Sequence, residues 1–245
     1  MARIAPLFAG WEETMVWSVL QGKMGAAYAD NAQAPRAAQL CIADFCFLAG
    51  APNGELASHL LGEFEIWIPR TEDWQSLIER QWGENAKTIT RYAFDAQPAF
   101  DQACLRAFVG QAAYPLQLVD EPLYRALRSQ EWSRDLVSQF PDFQAYAAHG
   151  VGVAALNCGE PVCGASTYTY YDGGIEIEID TKPEFRRKGL ARACASALIL
   201  ECLRRGLVPS WDAANPESAH LAQTLGFGEP RAYLAYEITK KEPLA

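Results

Sequence analysis

Residues 175–205 constrain the fold more than any other stretch of the chain. Ile175, Ile177 and Ile179 alternate strictly with Glu176, Glu178 and Asp180, a two-residue period that an extended strand turns into one apolar and one acidic face. Lys182-Pro183-Glu184-Phe185 then leads into an alanine-rich stretch, 186–205, that reads as a helix ending in Arg204-Arg205, with Gly206 placed to close it. A strand that feeds a helix through a basic turn commits the chain to mixed α and β structure. The turn reads Arg186-Arg187-Lys188-Gly189-Leu190-Ala191, of the form R-x-x-G-x-A. The first turn of a helix carries N–H groups without intrahelical acceptors and the positive end of the aligned peptide dipoles, so it can hold phosphate through backbone alone. Gly189 lets a phosphate approach the chain, and small Ala191 leaves the next turn unobstructed. Residues 182–192 carry five basic side chains against one acid, which suits a ligand with several phosphates.

Around this unit the elements alternate. Residues 151–156 pass through Asn157-Cys158-Gly159-Glu160 to 162–171, and Asp172-Gly173-Gly174 returns the chain to 175–181, three consecutive antiparallel strands. A strand at 210–213, a short helix at 217–225 stopped by Gly226, and a strand at 232–238 complete the chain. Upstream, the pattern predicts a helix within 11–25, strands at 38–50, 65–69 and 88–94, and a helix over 74–82 ended by Gly83. After a break at Asp95-Ala96-Gln97-Pro98 comes a helix over 121–140. The first half shows no chemical motif.

Composition removes several classes of function. Thirty acidic against 21 basic side chains, a net charge of −9, disfavours nucleic acid and anionic membranes as partners. Seven cysteines without a C-x-x-C pair suit a reduced, cytoplasmic protein, and the first residues contain no apolar stretch suited to export or membrane insertion. His59, His149 and His220 lie in separate segments without ligand spacing, so no metal is expected. Gly150-Val151-Gly152-Val153-Ala154-Ala155 matches a dinucleotide fingerprint, G-x-G-x-x-A, but it runs into a hairpin instead of opening a helix.

Downstream of the turn, residues 211–227 have the form N-x-x-S, helix, L-G-F, with Asn215, Ser218 and Leu225-Gly226-Phe227. Together with R-x-x-G-x-A this resembles the GNAT superfamily of N-acetyltransferases over about residues 115–245. EIEIDTKPEFRRKGLA with PSWDAANPES is similar to its zwittermicin-resistance-type branch, in which the N-terminal half is a degenerate GNAT-like domain. The resemblance implies a mixed, mostly antiparallel α/β (α+β) GNAT fold flanked by helices. It also implies a degenerate domain over 1–114 and an acetyl-CoA-binding catalytic domain over 115–245.

It further implies that the pantetheine arm of acetyl-CoA, the acetyl donor, lies against main-chain groups of Ile179, Asp180 and Thr181. Arg186, Arg187, Lys188, Gly189, Leu190, Ala191 and Arg192 would hold the pyrophosphate, and Asn215 with Ser218 would flank the arm. Capping of the following helix by Asn215 or Ser218 is compatible with that role. An alkyl amine has a pKa of about 10.4, so its attack near neutrality needs a base. Glu176 and Glu178 are the catalytic candidates for that base, Glu176 favoured, with Asp180 crowding them; otherwise the three acids line a wet surface or attract a cationic substrate. Many relatives carry a Tyr four residues before the Gly of L-G-F to protonate the departing thiolate, where this chain has Ala222. Tyr233 is the expected substitute, ahead of Tyr236, Ser218 and His220. The acceptor expected is a primary amine on a small cationic molecule, an antibiotic or metabolite. A CoA-binding regulatory or scaffold protein and a longer acyl donor are the alternatives. Residues 1–114 are expected to wall the acceptor site or form a homodimer surface.

Overall fold

A computed structural model describes residues 1–95 and 98–240; Ala96 and Gln97 of the sequence-predicted break lie outside them. In chain order the elements are α1 (Thr14–Leu20), β1 (Ala26–Ala29), β2 (Ala37–Ile42), β3 (Phe45–Gly50), β4 (Phe64–Pro69), α2 (Glu72–Trp82) and β5 (Ala86–Ala93). There follow α3 (Gln102–Gly110), β6 (Leu116–Leu118), α4 (Glu121–Ser129), a 3-10 turn over Glu131–Leu136, α5 (Phe143–His149), β7 (Gly152–Asn157), β8 (Glu160–Tyr171) and β9 (Gly174–Thr181). The chain ends with α6 (Leu190–Arg205), β10 (Val208–Ser210), β11 (Asp212–Ala213), α7 (Pro216–Leu225) and β12 (Arg231–Thr239). Two compact units result: Met1–Tyr92 joined by the chain from Ala232 onward, and Ala93–Arg231.

In the first unit the strands run in the order β1-β2-β3-β4-β12-β5. The predicted single strand at 38–50 is a hairpin, because Ala43 turns the chain at φ 53° between β2 and β3. Ala43-Asp44 is not a usual pair for that turn, so the sequence hides it. Thr71 caps α2 through the Trp74 amide, and Trp74, Ile78 and Trp82, spaced by four, bury one helical face. Tyr236 of β12 packs in the same core as these residues and donates to Glu79 at 2.6 Å.

In the second unit the sheet order is β10-β9-β8-β7-β6, antiparallel except for the parallel pair β10–β9. The predicted meander is β7-β8-β9. The predicted helix at 121–140 breaks into α4 and the 3-10 turn, and α5 begins where Asp142 caps through the Ala145 amide at 2.8 Å. The two glycines of the G-x-G-x-x-A decoy have packing reasons. A Cβ on Gly150 would come within 2.9 Å of the Tyr146 ring, and one on Gly152 within 2.3 Å of the Tyr146 hydroxyl.

Two contacts assign the faces of β9. Cys163, directly across from Thr181, holds its Sγ 3.1 Å from Thr181 Oγ1 and receives Cys194 of α6 at its carbonyl, so α6 covers the Thr181 face, which alternation shares with the isoleucines. Gly164, across from Asp180, lies under Leu136, so the acidic face looks toward the 3-10 turn Glu131–Leu136. No described helix is long and apolar enough to cross a membrane.

Candidate acyl-transfer site

The helix starts later than the sequence pattern implied. Leu190 opens α6, with Gly189 as its cap in the left-handed region at φ 75°, and residues 186–189 form the turn itself. Arg187 is also left-handed, at φ 59°, a conformation uncommon outside glycine. The amides of Gly189, Leu190, Ala191 and Arg192 have no acceptor among the described residues, and no side chain caps the helix. A Cβ at Gly189 would meet nothing nearer than Arg192 Nη2 at 4.0 Å, so the turn is open to a ligand.

The strand before the turn opens at its edge. β9 pairs with β10 only through Val208–Gly174, Pro209–Ile175 and Ser210–Glu176. From Ile177 to Thr181 no described strand occupies that edge. Lys182 N–H donates to Val162 of β8 at 3.0 Å, so by alternation Ile177, Ile179 and Thr181 present their main-chain groups to the open side. Side chains now occupy two of these groups: Glu178 Oε1 accepts from Ile179 N–H at 3.1 Å, and Arg186 Nε donates to the Thr181 carbonyl at 3.2 Å.

Glu176 is 4% exposed, at the last position paired with β10. A bulge in β8 between Thr167 and Thr169 brings Thr169 across from it, and such bulges re-aim side chains. Thr169 Oγ1 is buried without a partner among the described residues. Glu178 and Asp180 are half-buried farther along the same face. Burial pushes the Asp180 carboxyl up to about 6, the like charge of Asp135 adds to this, and Arg186 opposes it.

Asp180 thus keeps its proton in the folded state at pH values where an unfolded chain, at the ordinary 3.8, has lost it. Its contribution to stability is complete below that ordinary value and disappears as pH rises through about 6. Asp180→Asn is therefore expected to stabilise the protein by about 1–2 kcal/mol at neutral pH, with the difference closing near pH 4 in denaturant titrations. A stabilisation equal at both pH values contradicts this.

Of the other predicted residues, Asn215 caps α7, its Oδ1 accepting from Ser218 N–H at 2.9 Å, and Ser218 Oγ accepts from Trp211 Nε1 at 3.1 Å. Tyr233 is half-buried on β12, in the first unit. Among the other substitutes named for the thiolate acid, Tyr236 is committed to Glu79, and burial with that partner raises its hydroxyl pKa. His220 is exposed on α7.

Ala222 is fully buried on α7, so a Tyr there would force a ring into packed interior. Ala222→Tyr is expected to cost about 3 kcal/mol of stability without speeding turnover. A variant that is both stable and faster would contradict that expectation.

Sequence reasoning missed residues of 102–114 that line the turn. Lys188 Nζ lies 4.5 Å from the centre of the Phe185 ring, which meets Tyr114 edge-on at 5.7 Å, and Arg192 reaches Phe108. Asp101, whose side chain accepts from the Ala103 and Cys104 amides, is the cap signal that could have revealed α3.

Comparison with known proteins places this geometry in a family. The family model described as GNAT acetyltransferase matches residues 5–236, and the chain belongs to that family. It is 40% identical to a GCN5-related N-acetyltransferase-like protein from Streptococcus suis 89/1591, whose crystal structure superposes with a TM-score of 0.93 over 97% of each chain. It is 27% identical to the uncharacterized N-acetyltransferase YdfB of Bacillus subtilis (strain 168), over 91% of this chain and 89% of the relative. A GCN5-related N-acetyltransferase from Kribbella flavida, 13% identical, shares the fold with a TM-score of 0.58 over 93% of this chain and 95% of its own. The protein is thus an N-acetyltransferase of the GNAT type with a mixed α/β fold.

Proposed function

We propose that the protein moves an acetyl group from acetyl-CoA to a primary amine of a small cationic molecule. One observation carries this reading: β9 leaves β10 after Glu176, and its open edge runs directly into bare amides at Gly189–Arg192. An extended arm can add to the open edge as a further strand while the turn takes the diphosphate. The Glu178 and Arg186 side chains that now cover Ile179 and Thr181 would move aside for the arm.

In this reading Glu176 removes a proton from the acceptor ammonium. The neutral nitrogen bonds to the acetyl carbon as the carbon–sulfur bond breaks with its electron pair going to sulfur; the surplus proton on the new amide nitrogen passes to solvent, and the departing CoA thiolate takes up a proton. The acidic face of Glu176, Glu178 and Asp180 favours a cationic acceptor. The zwittermicin-type phrase supports an amine-bearing antibiotic or metabolite, and the N-terminal half is then a degenerate GNAT-like domain without phosphate chemistry of its own.

Ala222 favours a second reading, a CoA-binding regulatory protein with little chemistry, because the position used by many relatives for the acid is filled by a buried methyl. Thiol release from acetyl-CoA across polyamines, aminoglycosides, amino acids and peptide N-termini separates the two. Rapid release with a cationic amine supports the enzyme; tight acetyl-CoA binding without release to any amine supports the regulator.

A further inference from the structure

The basic turn has a neighbour that carries no recognisable motif. α3 packs along α6 in the second unit. The Arg192 guanidinium lies over the ring of Phe108 on α3, with Cζ 4.4 Å from the ring centre. Its Nη2 donates to Oε1 of Gln111, just past α3, at 3.4 Å. That same nitrogen lies 4.0 Å from the position a Cβ would take on Gly189, which sets the guanidinium beside the bare amides of the turn.

An arginine left to itself samples many rotamers, and ordering it on a ligand costs free energy. A ring stacked on one face of the guanidinium and an amide on one of its N–H groups restrict that sampling while leaving other N–H groups for phosphate oxygens. We propose that Phe108 and Gln111 are positioning residues, which hold the Arg192 guanidinium beside Gly189 so that it and the turn amides engage the acetyl-CoA diphosphate together. The proposal rests on the acetyl-CoA reading given above. It makes the stretch 102–111 part of the cofactor machinery, although its sequence has no nucleotide-binding pattern. Phe108 is half-buried and Gln111 exposed, so neither anchors the core.

The test is acetyl-CoA affinity, measured calorimetrically on the full chain for wild type, Phe108→Ala, Gln111→Ala, Arg192→Met and the double variant Phe108→Ala/Arg192→Met. Phe108→Ala is expected to weaken binding roughly threefold to tenfold and to raise KM for acetyl-CoA by more than it lowers kcat. Gln111→Ala is expected to weaken it less. In the Arg192→Met background Phe108→Ala is expected to add no further loss, a coupling that a merely structural role would not produce. An equal loss in both backgrounds, or unchanged affinity in both single variants, overturns the proposal. A wild-type protein that fails to bind acetyl-CoA overturns the underlying reading instead. Should Phe108→Ala fail to fold, Gln111→Ala against the same Arg192→Met background decides the matter.

Discussion

Glu176→Gln is expected to lower kcat by about 10²- to 10⁴-fold while acetyl-CoA still binds. At neutral pH an alkyl amine is almost entirely ammonium, so the reactive fraction is small unless a carboxylate takes the proton at the site. Glu176 is buried where β9 parts from β10, across from the bulge in β8. The substitution preserves shape and removes the basic lone pair, so cofactor binding at a turn thirteen residues away should survive. Turnover within about threefold of wild type would take Glu176 out of the base role. Glu178→Gln serves as comparison, with a smaller expected loss, because that side chain is less buried and already bonds the Ile179 amide.

Gly189→Val is expected to weaken acetyl-CoA binding by about 30- to 100-fold, because the turn would lose the backbone conformation that aims its amides. Gly189 sits at φ 75°, where an ordinary side chain costs roughly 1–2 kcal/mol and a β-branched one more. The chain would relax out of that region and carry the amides of Leu190, Ala191 and Arg192 away from a shared focus. Gly206 closes the other end of the same helix at φ 71° with no atom near its Cβ position. Gly206→Ala should therefore cost about 1 kcal/mol of stability and leave affinity alone. If both substitutions change affinity equally, the effect lies in the helix as a whole and the turn has no special part.

Much of the site was legible because its residues obey local rules. The alternation of Ile175, Ile177 and Ile179 with Glu176, Glu178 and Asp180 fixes which face is acidic once α6 covers the other. Gly206 marks the end of α6 because it takes a left-handed conformation, whereas the left-handed Gly189 starts the helix four residues later than the alanine-rich pattern implied. What stayed hidden depends on distant partners or weak turn signals. Ala43-Asp44 makes a hairpin turn without Gly or Asn, so two strands read as one. Gln130 ends α4 in extended backbone with no Pro or Gly nearby, so α4 and the following 3-10 turn read as a single helix. The last strand, β12, pairs antiparallel with β4, and no periodicity can say which sheet a strand joins. Phe108 and Gln111 belong to the site only through Arg192, which lies about eighty residues away along the chain.

A crystal structure of the protein with acetyl-CoA tests the central claim most directly. The diphosphate should accept hydrogen bonds from the amides between Gly189 and Arg192, with the pantetheine arm along Ile177–Thr181 and the thioester beside Glu176. A diphosphate bound elsewhere, with these amides still facing solvent and Ile179 and Thr181 still covered by Glu178 and Arg186, would contradict the account.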